Sequence, residues 1–279
     1  MILMDGKKIS QKLFEQMATT IRTEKMTPGL TVILVGDDPA SHVYVKNKDI
    51  ACHKIGIRSE VVRLPDNVSK EKLVSAIEQL NNDPKVHGIL IQLPLPKHLD
   101  AEEILSHVAE HKDVDGFNVS NAGKLFRGLP GLVPCTPKGV IRLLDEYNVP
   151  IKGKNAAVLG RSNIVGKPIA HLLLNRDATV TSCHRDTPNT EEICQQADII
   201  VAAVGRLDLV KASWVKKGAC VVDVGINRRP DGKLAGDVFF DEVSKIAGWI
   251  TPVPGGVGPM TIAMLLENTI EAYQQQSSR

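Results

Sequence analysis

The sequence predicts an α/β protein of two domains, the C-terminal one a Rossmann-like parallel sheet, with a cleft between them. Three observations lead there. Residues 155–170, NAAVLGRSNIVGKPIA, read as strand, glycine turn and helix: Ala156 to Leu159 are apolar, Gly160 opens a polar turn, and Val165, Ile169, Leu172 and Leu173 recur at helical spacing. β-Branched or apolar runs follow at 178–183, 198–203, 220–224 and 249–250, separated by helical patterns, as in a parallel sheet covered on both faces. Finally, 279 residues suit two domains, and the first half of the chain shows the same alternation on a smaller scale.

The elements follow in order. Residues 9–21 place Ile9, Leu13, Phe14, Met17 and Ile21 on one face of a helix. Residues 30–35, LTVILV, form a buried strand, and a helix starts at Pro39 or Ser41 and runs to about Ile55. A strand at 57–64, a helix at 69–80 and a strand at 87–93, HGILIQL, complete a small α/β unit that ends at Pro94-Leu95-Pro96. A short helix is expected at 102–108. Residues 113–134 are rich in Gly and Asn without strong periodicity, and long irregular segments of this kind are usually functional. A helix at 137–147 leads into the Rossmann-like part. Residues 252–259, PVPGGVGP, form a glycine-proline loop, and a last helix at 261–273 is expected to return to the N-terminal domain. The expected domains are therefore 1–136 with the C-terminal segment 261–279, and 137–260. The tail QQQSSR reads as frayed.

Composition excludes several classes. With 43% hydrophobic and 24% charged residues, the chain has ample core. Its net charge is +2 without a basic block, so no nucleic-acid partner is expected. No apolar run reaches the roughly 18 residues of a membrane span, and MILMDGKKIS does not read as a signal peptide. The expectation is a cytoplasmic chain with no membrane partner. Five cysteines without a C-x-x-C pair suit a reducing compartment and argue against a disulfide framework or zinc. His107 and His111 are four apart, as ligands on a helix could be, but no further ligand cluster accompanies them, so no metal is expected.

Four groups of residues could carry chemistry. The glycine turn reads G-x-S-x-x-x-G through Gly160, Ser162 and Gly166. A helix N-terminus there would offer N–H groups and a positive dipole end to a pyrophosphate, though a plain strand–helix turn has similar letters. Tyr44 and Lys48 share a helix face. A lysine acts as a base only when its pKa falls from about 10.4 toward 7–8, and a neighbouring phenol can orient it. The other reading is an ordinary solvated helix, which Lys46 and Lys54 resemble. Y-x-x-x-K also occurs in short-chain dehydrogenases, but there it follows the glycine motif, whereas here it precedes it. Gln92 ends an apolar strand, where it is either a strand cap or a ligand-facing amide at the carboxyl edge of the sheet. Asp113 and Asp115 lie in KDVDGF, as turn formers or as acceptors for a planar pair of donors such as a pterin edge. Gly255, Gly256 and Gly258 permit close backbone approach to a ligand, or simply a turn.

Five stretches, KLVSAIEQLNNDPKVHGILIQLPL, KDVDGFNVSNAGKL, CTPKGV, GRSNIVGKP and PGGVGPMTI, together resemble the bifunctional methylenetetrahydrofolate dehydrogenase/cyclohydrolase family of the FolD type. The matches run from Asp5-Gly6-Lys7 to the last helix. The resemblance implies NADP-dependent oxidation of 5,10-methylenetetrahydrofolate to 5,10-methenyltetrahydrofolate, then hydrolysis to 10-formyltetrahydrofolate, in one-carbon metabolism that feeds purine synthesis. It makes Lys48 the catalytic lysine, Tyr44 the residue that stacks on the pterin and orients the lysine, and Gln92 the glutamine that holds it. It makes Asp115 the anchor of the pterin edge and places Gly255, Gly256 and Pro259 in a loop closing on the folate. The N-terminal domain is then the catalytic, folate-binding one. The NADP site is expected at Gly160, Arg161, Ser162, Val165, Gly166, Arg185 and Ile226. A homodimer is implied too.

Cofactor choice also follows from residue chemistry. An NAD site usually has an acidic residue near the end of the second strand, about 20 residues past the motif, to hold the ribose. Here the strand ends Cys183-His184-Arg185, so Arg185 with Arg161 could grip a 2′-phosphate, while Asp186 argues the other way. Two other functions fit parts of the pattern: a dehydrogenase acting on an amino or hydroxy acid, and a dinucleotide-sensing regulator without catalysis. The first predicts no affinity for folates, and the second leaves Tyr44, Lys48, Gln92 and Asp115 unexplained.

Overall fold

The computed structural model describes residues 1–277; Ser278 and Arg279, the end of the tail, lie outside the described residues. In chain order the strands are β1 (Ile2–Leu3), β2 (Gly29–Val35), β3 (Arg58–Leu64), β4 (Gly88–Ile91), β5 (Asn155–Leu159), β6 (Thr179–Cys183), β7 (Ile199–Ala202), β8 (Cys220–Asp223), β9 (Asn227–Arg228), β10 (Leu234–Ala235) and β11 (Trp249–Ile250). The helices are α1 (Gly6–Thr23), α2 (Pro39–Ile55), α3 (Lys70–Asn82), α4 (Ala101–Ser106), α5 (Val119–Phe126), α6 (Cys135–Glu146), α7 (Gly166–Leu174), α8 (Thr190–Gln196), α9 (Phe240–Val243) and α10 (Val257–Ser277). The chain divides into two compact units. One comprises Met1–Gln11 with Thr136–Thr261; the other comprises Lys12–Cys135 with the residues from Ile262 onward.

The second unit is built on a parallel sheet of order β3-β2-β4. Every residue of β2 is buried, as a central strand covered on both faces requires. Ile33, Leu73, Ile77, Ile89, Ile91 and Ile104 form its core. Helix α2 has well-defined ends. The Asp38 carboxylate accepts from Ser41 N–H at 2.7 Å with Pro39 in the first turn, and Gly56 stops the helix at φ +91°. Lys112 is buried and donates from Nζ to Leu80 O and Asp83 O, at 3.0 and 2.8 Å, satisfying carbonyls at the end of α3. On α10, fully buried Asn268 donates to Val114 O and Val133 O, both at 2.8 Å. Gln276 donates to His87 O at 2.9 Å and to His111 O at 3.1 Å. The tail expected to fray is therefore helical through Ser277.

The first unit holds a six-stranded parallel sheet of order β1-β11-β8-β7-β5-β6. Its core packs Ala157, Leu159, Ile200, Val221, Val243 and Ile250. Residues 1–11, assigned by the sequence to the N-terminal domain, lie here instead. β1 pairs Ile2 with Trp249 and Leu3 with Ile250, a two-residue edge strand too short to show periodicity.

Three other boundaries differ. The segment 113–134 is not wholly irregular: Asn118 accepts from Ser120 N–H at 2.8 Å and starts α5, whose buried residues are only Asn121 and Leu125. α10 begins at Val257 rather than 261, taking Pro259 into its first turn, where a missing N–H costs nothing. His107 caps α4 while His111 sits in a following 3₁₀ turn, so the two do not share a helix face. No helix among the described residues is long and apolar enough to cross a membrane.

Candidate active site

In an open parallel sheet, ligands bind beyond the carboxyl ends of the strands where the strand order reverses. The three-stranded sheet reverses at β2, which has β3 on one side and β4 on the other. Gln92 follows β4 directly and extends the ladder, its N–H donating to Ile33 O at 2.9 Å. Its side chain is buried, and Nε2 donates to Leu93 O at 2.7 Å. That bond turns Oε1 the other way, where Lys48 Nζ donates to it at 3.1 Å. A flipped amide would satisfy neither partner. Lys48 arrives from α2, which springs from the end of β2, so the same reversal brings both residues together. Tyr44 sits one turn earlier, 41% exposed, with its ring open to solvent. The partner that holds the lysine is thus Gln92, and Tyr44 is free to meet a planar ligand. Cys52, one turn beyond Lys48, is no competing nucleophile, because burial pushes its thiol up to about 12.

The KDVDGF loop separates its two carboxylates by role. Asp113 accepts from Phe117 N–H at 3.1 Å, Asn118 N–H at 2.8 Å and Asn121 Nδ2 at 2.9 Å. It is the turn former. Gly116 follows at φ +71°, packed where a Cβ would lie 2.5 Å from Pro134 N. Asp115 is a different case. Burial pushes its carboxyl up, against the Lys48 charge and a hydrogen bond from Cys135, so lysine and carboxylate share one electrostatic environment. A held amine beside a carboxylate acceptor can bind a planar donor edge and take a proton from water.

Asp113 has a measurable signature. Burial raises its carboxyl from the ordinary 3.8 to about 6, although its three donors oppose the shift. Between those values the folded chain holds a proton that the unfolded chain has released. Stability from this group is complete below about 3.8 and is lost as pH rises through about 6. A shift of this size corresponds to about 3 kcal/mol. Urea unfolding at pH 4 and pH 7 should show wild type losing up to about that much more stability than Asp113→Asn. Parallel profiles for the two proteins would contradict it.

The six-stranded sheet reverses at β5, between β6 and β7. At that edge lies a cavity of about 640 Å³ lined by Gly160, Arg161, Ser162, His184, Arg185 and Arg206 among others. Its lining carries three guanidinium groups and, among the described residues, no carboxylate. A second cavity of about 290 Å³ includes Ser162, Val165, Ala203, Gly225, Ile226 and Gly258, and shares Ser162 and Ala203 with the first. Ser162 Oγ accepts from Val165 N–H at 3.2 Å and Gly166 N–H at 3.4 Å, capping α7 and leaving its own O–H available to a ligand. Gly166 lines neither cavity. It lets α7 approach the turn, since a Cβ there would run into the Gly160 carbonyl. Asp186 lines neither, and pairs with Arg185 at 3.5 Å on the open surface. A cationic, nucleotide-sized pair of cavities fits a dinucleotide phosphate.

Gly255 and Gly256 are engaged locally. Lys7 N–H donates to Gly255 O at 2.9 Å, a Cβ at Gly6 would run into the Gly256 carbonyl, and one at Gly256 would lie 2.5 Å from Pro252 O. Pro259 lies in the first turn of α10. The sequence reading missed Arg206 and His184. Arg206 follows the carboxyl end of β7, so the strand-order rule would have found it once the order was known.

The family model for the tetrahydrofolate dehydrogenase/cyclohydrolase catalytic domain matches residues 4–115, and that for the NAD(P)-binding domain of the same family matches 134–277. A bifunctional protein FolD of Moorella thermoacetica is 53% identical over 276 residues, which cover 98% of this chain and 99% of the relative. The structure of a Campylobacter jejuni FolD superposes with a TM-score of 0.97 at 49% identity, covering 99% of each chain. A Trypanosoma brucei FolD, solved with NADP cofactor and an inhibitor, gives 0.94 at 40% identity, covering 100% of this chain and 98% of the other. The two motif-bearing halves, the two strand-order reversals and these whole-length likenesses agree: the chain belongs to the tetrahydrofolate dehydrogenase/cyclohydrolase family.

Proposed function

We infer that this chain oxidises 5,10-methylenetetrahydrofolate to 5,10-methenyltetrahydrofolate with NADP, and then hydrolyses that cation to 10-formyltetrahydrofolate. The observation that carries the reading is Lys48 held by Gln92 at the carboxyl edge of the three-stranded sheet, within the electrostatic reach of Asp115. Tyr44 stacks on the pterin, and Asp115 accepts its N–H and amino donors, so the one-carbon bridge is held in a defined place. Bound NADP supplies the two-electron acceptor. Folate nitrogen lone pairs stabilise the cation that forms, so this first step asks the protein for orientation rather than for an acid or base. The second step consumes water: Lys48 takes one of its protons as the oxygen adds to the bridging carbon, and the bond from that carbon to N5 then breaks as the remaining O–H proton is given up to form the formyl C=O and N5 gains a proton, for a net release of one proton. Gln92 keeps the amine aimed throughout.

The phosphates are assigned to the cavity lined by Gly160, Arg161, Ser162 and Arg185, with Val165 and Ile226 on the adjoining one and Gly166 shaping the turn. Gly255, Gly256 and Pro259 belong to the segment assigned to the folate side. The same reading takes the chain as a cytoplasmic homodimer. Five free, buried cysteines support a reducing compartment, and family resemblance supports the dimer.

The test is direct: protein, methylenetetrahydrofolate and NADP should yield reduced cofactor, and methenyltetrahydrofolate alone should open faster than in buffer. Absence of both would remove the reading. For cofactor choice, wild type should prefer NADP over NAD in kcat/KM, and Arg185→Ala should lose most of that preference. Equal values in wild type, or an undiminished preference in the variant, would overturn the assignment of Arg185.

A further inference from the structure

The loops that line the two cavities of the six-stranded unit rest on a carboxylate that lines neither. Asp237, fully buried, follows β10. Its Oδ2 accepts from Val204 N–H at 2.7 Å and Gly205 N–H at 3.0 Å, and its Oδ1 accepts from Arg206 N–H at 2.8 Å. Oδ1 also accepts from Asn227 Nδ2 at 3.0 Å. Three successive amides converge because the chain turns through φ +68° at Gly205. Consecutive N–H groups in such a turn form a concave anion site. Here the chain's own carboxylate fills it. Gly225, in the loop after β8, is pressed so close that a Cβ would run into the same carboxylate. Asp237 is itself held by a second buried acid: Asp223 Oδ1 accepts from Asp237 N–H at 2.9 Å and from Gly225 N–H at 2.9 Å, and Oδ2 accepts from Val238 N–H at 2.9 Å. One anion therefore ties together the loops after β7 and β8.

Those loops supply Val204 and Arg206 to the larger cavity, and Gly205, Gly225 and Ile226 to the smaller. We propose that Asp237 is a positioning residue for the dinucleotide: it sets the backbone of both loops, and so the affinity for NADP, without touching the cofactor. The proposal rests on the reading of this unit as the NADP carrier. An amide in place of the carboxylate turns an NH₂ group toward N–H donors that have lost their acceptor, and the loops must shift. Cyclohydrolysis of added methenyltetrahydrofolate needs no NADP, which makes it an internal control within the same protein.

The experiment uses the full chain and measures NADP binding by calorimetry, KM for NADP, and cyclohydrolase rate without cofactor. Asp237→Asn should raise the Kd and KM for NADP by tenfold or more while the cyclohydrolase rate stays within twofold of wild type. Unchanged NADP affinity, or equal loss of both activities together with a lowered Tm, would overturn the proposal. If Asp237→Asn does not fold, Asn227→Ala removes one of the four donors and decides: a severalfold rise in Kd supports positioning, and an unchanged Kd refutes it. Wild type that binds no NADP would instead remove the reading of the unit itself, a result distinct from unchanged affinity in the variants.

Discussion

Lys48→Met is expected to slow hydrolysis of methenyltetrahydrofolate by about 10²–10⁴ while slowing the oxidation by clearly less. Methionine keeps much of the lysine stem and its packing on α2 but removes the nitrogen. In the proposed division of labour, hydrolysis uses that nitrogen directly, whereas oxidation uses only the alignment of the pterin. Gln92 sharpens the comparison. It holds Lys48 Nζ at 3.1 Å while anchored to Leu93 O at 2.7 Å, so its own placement survives loss of the lysine. The variant's hydrolysis is read after subtraction of the spontaneous opening in buffer. Equal loss of both activities would make Lys48 a positioning residue. Hydrolysis at the wild-type rate would mean that another group activates the water.

The second large effect is expected at Asp115. Asp115→Ala should abolish both activities, because both require the same bound pterin. Two charge-assisted hydrogen bonds at about 1.5–3 kcal/mol each are at stake. Stability should hardly move, with a Tm shift below about 4 °C. The reason lies two residues away. The bonds that hold the loop go to Asp113, which accepts from Phe117, Asn118 and Asn121. Asp113→Ala leaves those donors without their acceptor and should melt clearly earlier, making the neighbouring pair a built-in contrast. An Asp115→Ala protein that unfolds early yet keeps turnover per folded molecule would exchange the two roles.

Much of this protein was legible in its residue order. Apolar runs such as LTVILV, β-branched and bounded by glycine on both sides, and AAVL, closed by Gly160, are short, so strand identity followed from local pattern. Lys48 and Tyr44 were readable as neighbours because a helix repeats every 3.6 residues. Gln92 was readable as a strand-end amide because it closes an apolar run. What local pattern cannot carry is which strands lie side by side. β1 has two residues, no periodicity and a partner almost the whole chain away, so its place beside β11 was invisible. The choice between Asp113 and Asp115 was open for the same reason: both sit in one loop, and only the folded backbone decides which carboxylate faces its amides. Arg206 and Asp237 belong to this class too. By itself the sequence determined the α/β class, the glycine turn and the residues available for chemistry, since these depend on neighbours within a turn or two. The tertiary structure alone decided where the strand order reverses, and therefore which loop ends meet, because hydrogen bonding between strands is set by contacts across the chain and not along it.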